Sequence, residues 1–227
     1  MGAEAEDNTI SAALDRAMAA GAEVRGTTSP NPPVGAVIVS AAGEVAGVGA
    51  TQPVGGAHAE VMALRAAGGK ARGGTAVVTL EPCAHTGRTG PCTQALIDAG
   101  VACVYYLHSD PTSQAAGGAR ALAEAGVDVI KLEKPPQVED ALMPWLWAMR
   151  TRRPHITLKF AQSLDGFTAA ADGTSQWITG ESARDWVHAD RARRDAIVVG
   201  TGTALADNPS LTARFRNGNL REHQPRR

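Results

Sequence analysis

Short apolar runs separated by glycine and polar turns dominate most of the chain. Runs over residues 34–39, 45–50, 75–80, 101–107 and 127–132 are rich in valine, isoleucine and leucine. Their length and polar flanks predict strands. The pair Ala42-Gly43 between the first two predicts a hairpin turn. Other stretches carry helical spacing. A helix to about residue 22 is expected, capped by Thr9 or Ser11, with Leu14, Ala17 and Met18 on one face and residues 1–8 frayed. Further helices are expected over 58–67, 92–99 and 117–125, stopped by Gly68-Gly69, Gly100 and Gly126. Two strand–helix–strand units in succession imply a parallel sheet with helices packed on it and right-handed crossovers.

A proline-rich break at 134–137 precedes an apolar helix over 138–149, where Pro144 is expected to introduce a kink. The basic stretch 150–154 ends in proline and marks a domain boundary. The expected domains are 8–150 and 153–227. In the second, the pattern restarts with a strand over 155–161, a turn at Asp165-Gly166, a helix over 181–191 and a strand over 196–200. A Gly/Thr loop at 200–203 follows, of a kind whose backbone N–H groups can approach a phosphate. This second stretch is short for a domain with its own core.

Composition narrows the class. Of 227 residues 44% are hydrophobic and only 4% aromatic, so a folded core must be built mainly from alanine, valine, leucine and isoleucine. The formal net charge of -1 argues against a nucleic-acid partner. The arginine-rich tail over 214–227 reads as solvated chain. Three cysteines are too few for a disulfide scaffold and fit a reducing cytosol. No secretory segment opens the chain, and no apolar run approaches the ~20 residues needed to cross a bilayer, so a cytoplasmic protein without a membrane partner is expected.

The candidate chemistry lies in His58-Ala59-Glu60, in Glu81-Pro82-Cys83 and in Cys92. Imidazole and thiolate are preferred zinc donors, and three protein ligands leave the fourth tetrahedral position to water, as in catalytic sites. Both cysteines are expected near a helix N-terminus, where free N–H groups favour thiolate. Glu60, two residues past His58, can share the site without ligating and can move protons. Zinc deaminases carry H-x-E followed by P-C-x-x-C. Here eight residues, not two, separate Cys83 from Cys92. Cys103, inside an apolar run, reads as a packed thiol.

These motifs resemble the bifunctional pyrimidine deaminase/uracil reductase family of riboflavin biosynthesis. The resemblance rests on His58 to Val61, on Thr79 to Cys92 with its insertion between the cysteines, and on Ser29-Pro30-Asn31-Pro32 followed by Val34-Gly35. It continues through Ser163-Leu164-Asp165-Gly166, Ser175 to Gly180, Gly200 to Thr203 and Asp207 to Arg214. It implies a cytidine-deaminase-like three-layer α/β/α domain followed by a dihydrofolate-reductase-like α/β domain. Residues 215–227 do not resemble the family's continuation, and the reductase part is expected to be incomplete.

The implied activity is hydrolytic deamination of 2,5-diamino-6-(5-phosphoribosylamino)pyrimidin-4(3H)-one, with reduction of the ribosyl side chain by NADPH in the full-length family. Zinc would be held by His58, Cys83 and Cys92, with Glu60 as the proton-transferring residue. Asn31, His85 and Arg88 would contact the pyrimidine substrate. Ala161, Trp177, Thr203 and Asp207 would contact NADPH, and Ser175, Arg191, Leu211 and Arg214 the reductase substrate. A homo-oligomer acting on a small molecule is expected. Two alternatives stay open: a zinc deaminase of another nucleobase, nucleoside or tRNA, and a zinc-binding scaffold without activity.

Overall fold

The computed structural model describes residues 3–86, 90–113, 116–133 and 140–227. It divides into two compact units, Met1–His155 and Ile156–Arg227.

The first unit is built on a five-stranded sheet of β1 (Gly35–Val39), β2 (Val45–Ala50), β3 (Thr75–Leu80), β4 (Cys103–His108) and β5 (Asp128–Lys131), in the order β2-β1-β3-β4-β5. β3, β4 and β5 are parallel, as the strand–helix–strand pattern predicts. β1 runs antiparallel to both β2 and β3, so the sheet is mixed rather than wholly parallel. The cause is the predicted hairpin: the Gly43 N–H donates to the Ser40 carbonyl, which reverses the chain within a few residues.

Side chains alternate across the sheet. Val37, Val39, Val77 and Leu107 face α1 (Ala3–Glu23) and meet its Ile10, Leu14 and Met18. Ile38, Val78, Leu80 and Val104 face the opposite layer. That layer holds α2 (Ala59–Ala67), α3 (Cys92–Asp98), α4 (Gly118–Glu124) and α5 (Met143–Thr151). The result is the expected three-layer α/β/α arrangement. Gly68, with φ 54, ends α2 as predicted.

Two expectations for this unit are corrected. α1 begins at Ala3 rather than at residues 9–11, because the opening Ala-Glu-Ala-Glu sequence consists of good helix formers. Pro144 does not kink a helix. It lies in the first turn of α5, where no N–H is required of it. The expected earlier part of that helix, at 138–139, lies outside the described residues.

The second unit contains α6 (Glu181–Arg191), as predicted, and α7 (Thr201–Asp207). The strands expected over 155–161 and 196–200 are not formed; isolated bridges join Ala196 to Arg226 and Arg214 to Leu220. A strand needs a paired neighbour, and Ile156, Leu158 and Phe160 instead stand exposed. The Gly/Thr loop expected at 200–203 is also corrected: Gly200 is the N-cap of α7, and helix starts at Thr201. The buried apolar content of this unit is small, with Ala213 its buried hydrophobic side chain among the described residues. Among the described residues of the chain, no helix is long and apolar enough to cross a membrane.

Candidate metal centre

Three segment ends deliver the predicted donors. His58 is the N-cap of α2, with extended backbone at φ −73 and ψ 163. Cys83 follows the end of β3 by three residues, and Cys92 opens α3. The placement of α2 depends on its close approach to β2: a Cβ at Gly49 would lie 2.3 Å from the Ala63 nitrogen and 2.4 Å from the Ala59 oxygen. Only a residue without a side chain lets the helix that carries His58 sit so near the sheet.

His58 Nδ1 lies 3.2 Å from Cys92 Sγ and 3.6 Å from Cys83 Sγ. One donor atom from each of the three residues falls within 4.8 Å of the others. Tetrahedral zinc, with bonds of about 2.0 Å to nitrogen and 2.3 Å to sulfur, sets such donors roughly 3.5 Å apart. The donor set therefore fits zinc in both chemistry and spacing. Cys103, at the start of β4, is not part of the cluster.

Backbone groups fix the thiols. The Cys92 N–H donates to Cys83 Sγ at 3.4 Å, and the Thr93 N–H donates to the Cys83 carbonyl at 3.2 Å. The thiols share a hydrogen bond that lowers the pKa of Cys83, helped by His58 and the Cys92 N–H and opposed by burial. The same hydrogen bond, with burial, pushes Cys92 up. Hydrogen bonding to Cys83 raises the pKa of His58.

Glu60, in the first turn of α2, is only 4% exposed, and its carboxyl lies beside the Cys92 side chain. Burial first, then the nearby Cys83 sulfur, push its pKa up to about 7. A carboxyl poised near neutrality can both take and give a proton.

The other predicted residues are less concentrated. Asn31 is half-buried in a turn closed by its own backbone: its N–H donates to the Thr28 carbonyl, and its carbonyl accepts from Thr28 Oγ1. His85 is exposed two residues past Cys83, and Arg88 lies outside the described residues. In the second unit, Arg191 and Arg214 meet at one residue. Arg191 Nη1 donates to the Thr212 carbonyl at 3.2 Å, and Arg214 Nε donates to Thr212 Oγ1 at 2.9 Å. Leu211, with φ 51, immediately precedes Thr212. Thr203 and Asp207 stand exposed on α7. Ala161, Ser175 and Trp177 lie in the irregular segment before α6, where Trp177 is 70% exposed beneath the Arg184 guanidinium.

Sequence reasoning missed a role for Glu81. Its carboxylate is buried and accepts from the Asp110 N–H at 3.4 Å and the Ala119 N–H at 3.0 Å. The available signal was a carboxylate wedged between an apolar strand and Pro82-Cys83. A hydrogen bond between His108, at the end of β4, and the buried Asp140 was also missed.

A three-layer α/β/α domain with a His/Cys/Cys donor set and a buried glutamate at its strand ends has the build of the zinc-dependent deaminases. Residues 7–108 match the cytidine and deoxycytidylate deaminase zinc-binding region, and residues 154–227 match the RibD C-terminal domain. The chain belongs to the RibD family of riboflavin biosynthesis proteins. The second match runs through 227, so the expectation that 215–227 departs from the family is overturned.

The riboflavin biosynthesis protein RibD of Corynebacterium ammoniagenes is 69% identical over 218 residues, which cover 96% of this chain and 65% of that protein. The Escherichia coli K12 relative is 50% identical, over 89% of this chain and 55% of its own length. A crystal structure of a diaminohydroxyphosphoribosylaminopyrimidine deaminase/5-amino-6-(5-phosphoribosylamino)uracil reductase from Thermotoga maritima superposes with a TM-score of 0.87 at 36% identity. That superposition covers 95% of this chain and 62% of the Thermotoga chain. The chain thus spans about 65% or less of the length of these relatives.

Proposed function

We propose that the first unit is a zinc-dependent deaminase acting on a phosphoribosylaminopyrimidine of riboflavin biosynthesis. The observation that carries this reading is the joint placement of His58, Cys83 and Cys92 with Glu60 buried against Cys92. The likeness to riboflavin biosynthesis proteins and to the Thermotoga deaminase/reductase supports the pathway and the substrate.

In this reading His58, Cys83 and Cys92 hold the ion. Zinc, when bound, supplies a Lewis acid that makes water acidic enough to serve as a nucleophile near neutral pH. Glu60 takes a proton from the attacking water and passes it to the departing amine. The reaction consumes one water, breaks the bond to the exocyclic amine and releases ammonia. Burial of Glu60 keeps bulk water from short-circuiting that transfer. Asn31 orients the pyrimidine, and His85 and Arg88 contact the substrate, the guanidinium of Arg88 being suited to a phosphate.

The second unit, in the same proposal, is the N-terminal part of an NADPH-using reductase domain. Ala161, Trp177, Thr203 and Asp207 contact the dinucleotide. Ser175, Arg191, Leu211 and Arg214 contact the ribosyl phosphate. The convergence of Arg191 and Arg214 on Thr212 supports the latter assignment. The net charge of -1 favours a small-molecule substrate over a nucleic acid, and three unbridged cysteines suit a reducing cytoplasm. The working form is proposed to be a homo-oligomer.

The test is ammonia release from 2,5-diamino-6-(5-phosphoribosylamino)pyrimidin-4(3H)-one by zinc-loaded protein. Glu60→Gln is expected to retain zinc and to slow release by roughly 10²–10⁴-fold. No release by the wild-type chain, or full activity in Glu60→Gln, would overturn the reading. NADPH oxidation in the presence of the deaminated product tests the second unit.

A further inference from the structure

Cys83 owes its position to a three-residue turn, Glu81-Pro82-Cys83, that is gripped from several sides. The Glu81 N–H donates to the His108 carbonyl at 2.8 Å and extends the pairing of β3 with β4 past Leu80. The Pro82 carbonyl packs so closely on α4 that a Cβ at Gly118 would lie 1.7 Å from its oxygen. The Cys83 carbonyl is held by the Thr93 N–H of α3.

The side chain of Glu81 completes the grip. One carboxylate oxygen accepts from the Asp110 N–H in the loop after β4, and the other accepts from the Ala119 N–H in the first turn of α4. Two donors on two oxygens require a carboxylate. An amide would turn its own N–H against one of them. Glu81 lies outside the cluster of metal donors, and its two oxygens are turned to backbone N–H groups instead. We infer that Glu81 is a positioning residue of the metal centre, its carboxylate tying the loop after β4 and the start of α4 to the turn that presents Cys83.

The inference rests on the zinc reading above. If Glu81 fixes the Cys83 sulfur, its loss spreads the donors and weakens metal binding even in a folded chain. If Glu81 serves stability alone, the folded variant binds metal as the wild type does.

The experiment compares wild type, Glu81→Gln, Gly118→Ala and Leu14→Ala. Leu14 packs α1 on the far face of the sheet and reports general destabilisation. Zinc affinity is read by chelator competition, and donor geometry by the thiolate-to-metal absorption bands of the cobalt-loaded protein. Glu81→Gln and Gly118→Ala are expected to lose about 10–100-fold in zinc affinity and to shift the cobalt bands. Leu14→Ala is expected to lower the melting temperature with affinity and bands unchanged. In wild type, zinc binding is expected to slow hydrogen exchange at the Ala119 amide, since coupling between two sites is reciprocal. This last measurement decides the matter if neither Glu81→Gln nor Gly118→Ala folds.

Wild-type chain that binds neither zinc nor cobalt overturns the zinc reading itself. Zinc binding by wild type with unaltered affinity and bands in folded Glu81→Gln overturns the positioning role alone. Equal loss of affinity in Leu14→Ala, or unchanged exchange at Ala119, likewise overturns the positioning role.

Discussion

The backbone N–H of Cys92 points at the sulfur of Cys83 across 3.4 Å. The residue that opens α3 thus supplies one thiol and holds the other. Such an arrangement favours ionised sulfur at Cys83 and prepares the pair for a cation. Cys83→Ala and Cys92→Ala are each expected to lose bound zinc, measured by elemental analysis after gel filtration. Cys103→Ser is expected to keep it, because Cys103 lies outside the donor cluster. Zinc loss in Cys103→Ser with retention in Cys83→Ala would reverse the assignment.

Removing the metal should also loosen the first unit. The donors come from α2, from the turn after β3 and from α3, so one ion cross-links three segments. A ligand that binds only the folded state at 100 times its Kd adds about 2.7 kcal/mol of stability. Chelated protein is therefore expected to melt several degrees below the zinc-loaded form in calorimetry, and added zinc should restore the loss. Equal melting temperatures would mean that no such cross-link exists.

Gly49 offers a test of how the fold sets the site. A methyl group there meets the backbone of α2 at 2.3–2.4 Å, and backbone cannot swing aside as a side chain can. Gly49→Ala is expected to cost about 1–3 kcal/mol in chemical denaturation, as overpacking does. Because α2 begins immediately after His58, the same change should weaken zinc binding. A stability within 0.5 kcal/mol of wild type, roughly the scatter of innocuous surface changes, would refute the close-packing argument.

Much of this architecture was legible in the chain because local and tertiary preferences agree. The five strands of the first unit are short, largely apolar runs bounded by turns, and each finds a hydrogen-bonded neighbour. The donors His58, Cys83 and Cys92 were legible because they sit at element ends that glycine, proline and apolar spacing mark out. The same logic misread residues 155–161. Ile156, Leu158 and Phe160 alternate as a strand should, yet alternation does not supply a pairing partner. Gly200 to Thr203 looked like a loop because glycine both ends and caps elements. The two hydrogen bonds of Glu81 join residues 29 and 38 positions away, a relation that no local pattern carries.

His188 on α6 gives a pH prediction for the second unit. Burial first, then the positive charges of Arg191, Arg214 and Arg221, hold its pKa below the ordinary 6.5, and the Thr212 carbonyl only partly offsets them. The neutral ring is therefore the form that the fold prefers. Its stabilising share is full above the unfolded value and is lost as pH falls through and below 6.5. Titration by NMR is expected to place His188 below 6.5. Arg191→Gln should move it upward. A His188 titrating at or above 6.5 in the wild-type chain would remove the basis for this charge cluster.

Trp145 provides a separate handle on the substrate loop. Its Nε1 donates to the Pro30 carbonyl at 3.1 Å, and so ties α5 to the loop that carries Asn31. The Thr28 side chain closes the same loop from within. Trp145→Phe keeps an aromatic ring but removes the donor. One exposed hydrogen bond contributes about 0.5–1.5 kcal/mol, so the loop is expected to loosen without unfolding. If Asn31 orients the pyrimidine, KM should rise about 2–10-fold while kcat and zinc content stay near wild type. A change in KM alone identifies binding that is felt equally in the ground and transition states. A fall in kcat with KM unchanged would instead place the effect of Trp145 at the proton transfer of Glu60, and the loop would lose its assigned part in substrate recognition.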